Sequence, residues 1–311
     1  MKKILVTGGN GYIGSSILNF FHENKYEMYA WGNVETELNG VKIRPVNLND
    51  KDQIADELRN IEPDVIIHCA GSANVNASVE NPRKDFEGNV IITYNILLAL
   101  AEINRKSLKF IYLSSSAVYG EPQVLPITEE HPFLPISPYA LHKQLSEEIC
   151  QYFISQYEMD IVILRIFSAY GPGLRKQIFW DMNEKIRKNH FLELYGTGEE
   201  TRDFIYIDDL VRVIEIMVDT DDLKYRIFNV ANGVDVSVRE IAEEYAALWE
   251  LDAAQIKFSN ISRKGNPIHW KADISRLKEL GYKPYISLSE GIEQYYKWVN
   301  AAQGDFINDH S

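Results

Sequence analysis

The sequence has few cysteines, because only Cys69 and Cys150 occur among its 311 residues. Two thiols far apart in the sequence cannot form a disulfide framework, and they are too few for a cysteine-based metal site. Both lie inside apolar segments, where buried, reduced cysteines are usual. We therefore expect no metal site, and we expect a protein of the cytoplasm, where thiols stay reduced.

Basic charge is also scarce. The chain has 32 lysines and arginines against 45 aspartates and glutamates, which gives a net charge of −13. Nucleic acids and anionic membranes are bound by basic surfaces, so neither is an expected partner. A small anionic molecule can still bind where a few arginines gather.

Long hydrophobic runs are missing as well. No stretch approaches the ~18 uninterrupted apolar residues of a membrane-spanning helix. After Lys2 and Lys3, the apolar run Ile4-Leu5-Val6 stops at Thr7, which is too short for the core of a signal peptide. We expect neither a membrane span nor a secretory signal.

The sequence does contain an alternation of short β-rich apolar runs with helical patterns, which is typical of parallel βαβ units. The predicted strands are Lys3–Val6, Glu27–Trp31, Asp64–Ala70, Lys109–Ser114, Asp160–Phe167 and Arg226–Val230. The predicted helices are Tyr12–Glu23, Asp50–Asn60, Phe86–Asn104, Pro138–Tyr157, Ser237–Leu248 and Leu288–Val299. The pattern predicts an α/β protein with a doubly wound parallel (Rossmann) sheet and a smaller mixed α/β C-terminal lobe.

The pattern changes after about residue 170, where the glycines and proline of Gly171-Pro172-Gly173 interrupt it. We expect residues 1–168, with a returning segment at about 204–231, to form a dinucleotide-binding domain. Residues 169–203 and 232–311 are expected to form the substrate-binding lobe. No internal repeat is visible.

A glycine-rich turn follows the first predicted strand, in the order Gly8, Gly11 and Gly14. Such glycines let the backbone turn tightly and approach a pyrophosphate, which then lies on the helix N-terminus at Tyr12 and Ile13. In this strand–turn–helix context the motif predicts dinucleotide binding.

One expected residue is absent from the dinucleotide site. An acid at the end of the second strand normally binds the adenosine ribose of NAD, but Gly32 and Asn33 stand there. No basic residue follows closely to hold the 2′-phosphate of NADP either. The cofactor is therefore predicted to be NAD or NADP, with the choice left open.

Tyr139 and Lys143 are spaced by four residues in a predicted helix, so they share one helix face. A nearby ammonium group favours the phenolate, and we therefore expect Lys143 to lower the pKa of Tyr139. The phenolate would take a proton from a substrate alcohol beside a nicotinamide. A hydroxyl of the run Ser114-Ser115-Ser116, at the end of a predicted core strand, could hydrogen-bond the substrate oxygen and relay its proton to Tyr139. The glycine-rich turn and the pair Tyr139 and Lys143 together predict alcohol–ketone redox chemistry.

These motifs resemble those of the extended short-chain dehydrogenases/reductases, in the nucleotide-sugar epimerase/dehydratase family. The resemblance covers nearly the whole chain. It is carried by TGGNGYIG at Thr7–Gly14, HCAG at His68–Gly71, SSSAVYG at Ser114–Gly120, YALHK at Tyr139–Lys143, and TRDFIYIDD at Thr201–Asp209.

The resemblance implies roles for individual residues. Tyr139 would be the base, Ser115 the catalytic hydroxyl, and Lys143 the group that lowers the pKa of the base and holds the nicotinamide ribose. Ser114 and Ser116 are the alternatives to Ser115. Further cofactor contacts are implied for Asn33, Asn47, Leu48, Ala70, Gly71 and Asn89.

On the substrate side, the resemblance implies that Arg202 and Arg263 bind the diphosphate of a nucleotide sugar, most simply a UDP-sugar. Leu192–Tyr195 resembles the edge strand along which the base lies, with Tyr195 as the contact. Ser116, Ser168 and Arg175 are the remaining substrate-binding candidates.

Departures from the family pattern narrow the chemistry. The 4,6-dehydratases carry an Asp-Glu pair where Ser116 and Ala117 stand, so dehydration is rejected. Epimerisation next to the ketone needs a Cys and a His, and Ala117 and Gly173 stand there instead. A UDP-sugar 4-epimerase is favoured, and an NAD(P)H-dependent 4-keto-sugar reductase is the alternative.

Two substitutions favour the reductase: Gly32 lacks the acid, and Ser168 stands where 4-epimerases usually have Asn. A third hypothesis is a non-catalytic dinucleotide-binding regulator, and the intact Tyr139, Lys143 and Ser115 argue against it. The resemblance also implies a homodimer, built from Phe86–Asn104 and Pro138–Tyr157 as a four-helix bundle.

Overall fold

A computed structural model of the chain describes residues 1–21, 25–104, 108–261 and 268–301. Over these residues it divides into two compact units. The first comprises Met1–Gly120, Glu129–Ile166 and Val211–Val230. The second comprises Glu121–Thr128, Phe167–Leu210 and the described residues of Ala231–Ser311.

The strands within the described residues follow in chain order. They are β1 (Lys2–Thr7), β2 (Tyr26–Gly32), β3 (Thr36–Leu38), β4 (Val41–Pro45), β5 (Val65–His68), β6 (Lys109–Ser115), β7 (Asp160–Ile166), β8 (Ser168–Tyr170), β9 (Leu192–Leu194), β10 (Thr201–Tyr206), β11 (Ile227–Val230), β12 (Asp235–Ser237) and β13 (Ile256–Phe258).

The α-helices of the described residues are likewise numbered along the chain. They are α1 (Tyr12–Phe20), α2 (Lys51–Ile61), α3 (Val75–Glu80), α4 (Pro82–Phe86), α5 (Ile92–Glu102), α6 (Pro138–Tyr157), α7 (Gln177–Asn189), α8 (Ile207–Asp219), α9 (Val238–Ala247), α10 (Ser275–Glu279) and α11 (Leu288–Ala301).

An eight-stranded sheet in the order β11-β7-β6-β5-β1-β2-β4-β3 forms the centre of the first unit. Its strands are parallel except for β3, which pairs with β4 in an antiparallel hairpin. From β1 the order proceeds to β2 on one side, and β5 through β7 lie on the other. This is the predicted doubly wound parallel sheet, and the predicted fold class is confirmed.

Buried β-branched and aromatic side chains explain why these segments form strands. Ile4, Val6, Ile66 and Ile161 are fully buried between the helices that cover both faces of the sheet. Continuous apolar runs of this kind are what a parallel sheet requires, since neither face meets water. The sequence pattern located the strands for this reason.

Helix α6 begins where the sequence provides a start signal. Ser137 is the N-cap, its side chain accepts a hydrogen bond from the backbone N–H of Ala140, and Pro138 occupies the first turn. The helix ends at Tyr157 and is followed by Glu158, which adopts the left-handed conformation. These local signals place Tyr139 in the first turn of α6.

The predicted helix Phe86–Asn104 is not continuous. Helix α4 ends at Phe86, a π-helical turn covers Glu87–Ile91, and α5 then runs to Glu102. The side chain of Asn89 donates to the backbone oxygen of Asp85, 3.0 Å away, within this turn. A single π-helical turn inside a longer helix often marks a functional site. The helical period alone does not reveal it.

The second unit holds two small sheets. One has the order β12-β10-β8 and the other pairs β13 with β9. Strand β10 is parallel to β8 and antiparallel to β12. No helix among the residues placed in the structure is long and apolar enough to cross a membrane.

Candidate functional site

Strands β1 and β5 are adjacent and parallel. After β1 the chain continues to β2, toward one edge of the sheet, and after β5 it continues to β6, toward the other edge. Ligands of doubly wound sheets bind at the carboxyl ends of the strands beside such a switch. There the hydroxyl of Thr7 lies 2.7 Å from Nδ1 of His68, and the N–H of Ala70 donates to the same hydroxyl. Burial lowers the pKa of His68 to about 3, so the ring is neutral and supports the strand ends.

The glycine turn packs against this strand end. Gly8 has φ +72°, and a Cβ on it would lie 2.7 Å from the backbone N of Ala70. A Cβ on Gly14 would lie 2.2 Å from the oxygen of Gly8. Side chains at these positions would therefore force the turn apart.

The turn leads into the N-terminus of α1. Gly11 is the N-cap and contributes no side-chain cap, and the first turn of the helix carries no acid. Tyr12 and Ile13 are the first residues of the helix. A helix N-terminus reached through a glycine turn fits the pyrophosphate of a dinucleotide.

A second part of the site forms around Gly71. A Cβ on Gly71 would lie 2.8 Å from Oδ1 of Asn89 and 3.7 Å from Nζ of Lys143. The structure thus brings three predicted cofactor residues together at the carboxyl end of β5. Asn89 lies in the π-helical turn. The backbone oxygen of Asn89 accepts a hydrogen bond from the hydroxyl of Thr93 at 2.6 Å, which helps to hold the turn.

Tyr139 is buried in the first turn of α6, where its backbone N–H donates to the hydroxyl of Ser78. Burial raises the pKa of the Tyr139 phenol to about 12, and a hydrogen bond with Ser115 acts in the opposite direction. Ser115 ends β6. The predicted hydroxyl therefore lies close enough to the predicted base to lower the pKa of its phenol.

Lys143 is buried on the same helix as Tyr139. Its ammonium group donates to the backbone oxygen of Leu113 at 2.9 Å and lies 4.9 Å from the ring centre of Tyr112. Burial lowers the pKa of Lys143 to about 8. Four-residue spacing fixes the helix face and not the atom that the ammonium contacts, so the lowering of the phenol pKa by Lys143 stays a prediction.

Ser114 points away from this contact. Its hydroxyl donates to Oε1 of Glu147 at 2.5 Å, and Glu147 in turn binds Arg165 through both carboxylate oxygens. All three side chains are buried. Ser114 therefore belongs to a structural network. Ser116 is buried in the 3-10 turn Ser116–Tyr119, which follows Ser115.

Comparisons with known proteins identify the family. Residues 4–231 match the model of the NAD dependent epimerase/dehydratase family. The chain belongs to this family. It is an NAD-dependent enzyme of the epimerase/dehydratase type, and the resemblance predicted from its motifs is confirmed.

The chain is similar to a putative UDP-glucose 4-epimerase of Methanocaldococcus jannaschii, with 34% identity over 95% of this chain and 98% of the relative. Among solved structures, a UDP-N-acetylglucosamine 4-epimerase of Methanobrevibacter ruminantium, in complex with UDP-N-acetylmuramic acid, is 29% identical. It covers 97% of this chain and 99% of its own, with a TM-score of 0.86.

The UDP-glucose 4-epimerase of Thermus thermophilus, solved with NAD, is 26% identical over 96% of this chain and 99% of its own, with a TM-score of 0.86. Curated dTDP-glucose 4,6-dehydratases also match, including a Haemophilus influenzae protein at 24% identity over 96% of this chain and 98% of its own. The family relatives therefore include epimerases and dehydratases.

The predicted adenosine contacts lie at the ends of β2 and β4. Asn33 follows β2, and its N–H donates to Oδ1 of Asn10 at 3.0 Å. Asn47 and Leu48 lie between β4 and α2, where the backbone oxygen of Leu48 accepts from Asn95. Because β2 and β4 are neighbours, these residues lie at one edge of the sheet.

The predicted substrate residues of the second unit lie in several elements. Ser168 begins β8, and Arg202 lies in the neighbouring strand β10. The guanidinium of Arg202 donates to the backbone oxygens of Thr201 and Ile268 and lies 5.6 Å from the ring centre of Trp270. Burial lowers the pKa of Arg202.

Arg175 and Tyr195 lie in other segments of that unit. The guanidinium of Arg175 lies 6.0 Å from the ring centre of Trp180 and 5.8 Å from that of Trp298. Tyr195 follows β9, is half exposed, and has Lys185 over its ring at 5.5 Å. Arg263 lies outside the described residues.

Two residues beside the site were missed by the sequence analysis. Asp85 and His142 are buried, and Oδ2 of Asp85 lies 2.6 Å from Nδ1 of His142. The charge of Asp85 raises the pKa values of both Lys143 and Tyr139. A signal existed, since Asp85 stands four residues before Asn89 and His142 directly precedes Lys143, but the pairing depends on the packing of α4 against α6.

Proposed function

We propose that this chain is a UDP-sugar 4-epimerase that oxidises the C4 alcohol of the hexose and returns the hydride to the opposite face. The observation that carries the proposal is that Ser115, at the carboxyl end of β6, influences the buried phenol of Tyr139, in a sheet whose strand β1 leads into the glycine turn. That arrangement supplies proton transfer to an alcohol next to a dinucleotide site. The 4-epimerases among the family relatives support the same reaction.

Proton transfer is the task of Ser115 and Tyr139. In the oxidative half-reaction the C4 hydroxyl would give its proton, through the hydroxyl of Ser115, to the phenolate oxygen of Tyr139. Bound NAD would supply the acceptor for the C4 hydride. In the reductive half-reaction the phenol of Tyr139 returns the proton to the ketone oxygen, so the two halves balance without a net redox change.

Lys143 and Asn89 are proposed to hold the nicotinamide ribose, and the glycine turn the pyrophosphate. The ammonium of Lys143, in contact with the oxygen of Leu113, remains mostly protonated at neutral pH because its pKa of about 8 is above 7. It can therefore favour the phenolate of Tyr139 electrostatically once the ribose hydroxyls take over part of its hydrogen bonding.

Dehydration receives no support from the residues beside Ser115. The 3-10 turn that follows begins with Ser116 and Ala117, and neither side chain is an acid or a base near neutral pH. Elimination of water across C5 and C6 needs both. A C4 redox reaction needs only the hydroxyl, the phenol and the cofactor.

In this proposal residues 1–168 and 204–231 bind the dinucleotide, and residues 169–203 and 232–311 bind the nucleotide sugar. Arg202, Arg175 and Arg263 are proposed contacts of the UDP-sugar diphosphate, since a guanidinium can bind phosphate oxygens in pairs. Tyr195 is proposed to contact the base, and Ser116 and Ser168 the sugar.

We also propose a homodimer formed by α5 and α6. Tyr94 on α5 and Tyr152 on α6 are large aromatic residues with 41% and 55% of their surfaces exposed. Exposed aromatic side chains of this kind are typical of a surface that a partner subunit covers. A monomeric mass in solution at micromolar concentration would refute the dimer. A cytoplasmic location is part of the same proposal, since Cys69 and Cys150 are free thiols.

The test has two measurements. The purified protein is incubated with UDP-glucose, UDP-N-acetylglucosamine or UDP-glucuronic acid, and the C4 epimer is quantified without added dinucleotide. The protein is then denatured, and any released dinucleotide is identified by mass spectrometry. Interconversion of one pair together with stoichiometric NAD would support the proposal, and no turnover of any UDP-hexose would contradict it.

Tyr139→Phe is the informative variant, and Tyr285→Phe, at a tyrosine that is 60% exposed, is its control. Loss of general acid–base catalysis lowers kcat by about 10²–10⁴. The control is expected to retain wild-type activity. Equal activity of Tyr139→Phe and the control would revive the non-catalytic hypothesis.

A second candidate function is 4-keto-sugar reduction, and the absence of an acid at Gly32 favours it. A reductase consumes NAD(P)H and must exchange its cofactor at each turnover. An empty dinucleotide site in the purified protein, with oxidation of added NAD(P)H on supply of a 4-keto sugar, would transfer the assignment to the reductase.

A further inference from the structure

A side chain from the glycine turn lies against the end of β2. Gly32, its last residue, stands where an acid normally binds the adenosine ribose of NAD. The side chain of Asn10, from the glycine turn, reaches to this point. Its Oδ1 accepts from the N–H groups of Asn33 at 3.0 Å and Val34 at 3.4 Å, and its Nδ2 donates to the hydroxyl of Thr36 at 3.0 Å.

Asn10 and an acid at position 32 exclude each other sterically. A Cβ on Gly32 would lie 1.8 Å from Oδ1 of Asn10 and 2.7 Å from Cγ2 of Ile43. Both distances are shorter than any van der Waals contact. The missing acid is therefore linked to the presence of Asn10, whose carboxamide fills the space that an Asp or Glu side chain would enter.

The replacement removes a charge. A carboxylate at the end of β2 accepts a hydrogen bond from the ribose 2′-hydroxyl of NAD and repels the 2′-phosphate of NADP. The Asn10 carboxamide is neutral, and its oxygen already accepts two backbone N–H groups. It can offer Nδ2 to a hydroxyl or to a phosphate oxygen alike.

Neighbouring charged groups do not restore the discrimination. Glu35 and Glu37 follow β2 but are exposed, where water and salt screen them. On the adjacent strand β4, Lys42 is exposed, and Arg44 is bound by both oxygens of Glu57 at 2.8 and 3.0 Å. Neither a carboxylate that rejects phosphate nor a committed guanidinium that selects it faces the end of β2 among the described residues.

We propose that Asn10 is the residue that sets cofactor specificity in this chain, and that it leaves the adenosine site neutral, so that NAD and NADP bind with affinities within about tenfold of each other. The inference rests on the proposed role of the glycine turn in binding the dinucleotide. It explains why the chain can lack both the acid of NAD sites and the arginine of NADP sites.

The test uses an isosteric substitution. Asn10→Asp keeps the size of the side chain and the acceptors for the backbone N–H groups of Asn33 and Val34, and it adds one negative charge. The matched control is Asn39→Asp, which places the same charge in the turn between β3 and β4. The full-length proteins are first freed of any co-purified dinucleotide, which mass spectrometry verifies. They are then titrated with NAD and with NADP, and each dissociation constant is obtained from the rise of the thermal unfolding midpoint.

Wild type is expected to bind the two dinucleotides within about tenfold, and Asn10→Asp to weaken NADP by at least about tenfold while NAD changes little. Asn39→Asp should behave like wild type. A wild-type preference above about tenfold would overturn the inference, as would an equal loss of NADP in Asn10→Asp and Asn39→Asp. If neither dinucleotide stabilised the wild type, the proposed cofactor site itself would fail.

Discussion

The ammonium group of Lys143 donates a hydrogen bond to the backbone oxygen of Leu113, 2.9 Å away, and not to the phenol of Tyr139. Leu113 lies in β6, two residues before Ser115. The strand that carries Ser115 therefore also holds the lysine.

The burial of Lys143 has a consequence for stability. Its pKa falls from 10.5 to about 8 on folding. Between pH 8 and 10.5 the unfolded chain binds a proton that the folded chain does not, so Lys143 makes the folded state gain stability as pH rises through this window. At lower pH the burial of its charge costs free energy.

The stability of wild type is compared with that of Lys143→Met, because the methionine side chain has no titratable group. From pH 8 to 10.5 the free energy of unfolding of wild type should rise relative to this variant by on the order of 3 kcal/mol. Urea unfolding at closely spaced pH values measures the difference. A constant difference across the window would show that Lys143 is not desolvated in the folded protein.

Neighbouring serines should respond in opposite ways to the same substitution. Ser115→Ala removes the hydroxyl that lowers the pKa of the Tyr139 phenol, so kcat should fall by about 10²–10⁴ with little change in stability. Ser114→Ala removes a hydrogen bond to the buried Glu147 and should cost about 1–3 kcal/mol, with kcat largely retained.

Steady-state kinetics and chemical denaturation separate the two effects. Each serine variant is the control for the other, because both remove one hydroxyl from the end of β6. A large loss of kcat in Ser114→Ala at full stability would instead assign the proton relay to Ser114.

The ion pair between Arg165 and Glu147 is buried, with 3% and 2% of the two side chains exposed. Arg165→Met leaves the carboxylate of Glu147 buried without its partner, and the loss should be about 3–5 kcal/mol. The double variant Arg165→Met/Glu147→Leu removes both charges and should recover part of that loss. Unfolding free energies of the three proteins decide the matter, and equal stability of wild type and Arg165→Met would contradict the buried pairing.

Gly32→Ala introduces the Cβ that would meet Asn10 and should cost about 1–3 kcal/mol by overpacking. Combining it with Asn10→Ala should be less harmful than the sum of the two single substitutions, because the clash with Asn10 is removed and only the close approach to Ile43 remains. Gly88→Ala is the control, since a Cβ there meets nothing within 4 Å. Strictly additive losses would show that the two residues do not compete for space.

The sequence by itself determined the features that depend on short spacing or on burial of whole segments. The β1 turn glycines, the N-cap and proline of α6, and the apolar runs of the central sheet are local patterns, and each has one low-energy structural answer. Tyr139 was predicted from its four-residue spacing to Lys143, and Ser115 from the resemblance to the family.

The tertiary structure decided which atoms meet across the chain and how strongly each is desolvated. Lys143 contacts the oxygen of Leu113, and Asn10 contacts the end of β2, in each case across about 20 to 30 positions of the sequence. Burial in the folded chain also raises the pKa of Tyr139. Periodicity fixes the face on which a side chain lies. The partner on that face, and the exclusion of water that shifts a pKa, depend on the packing of elements that local sequence does not encode.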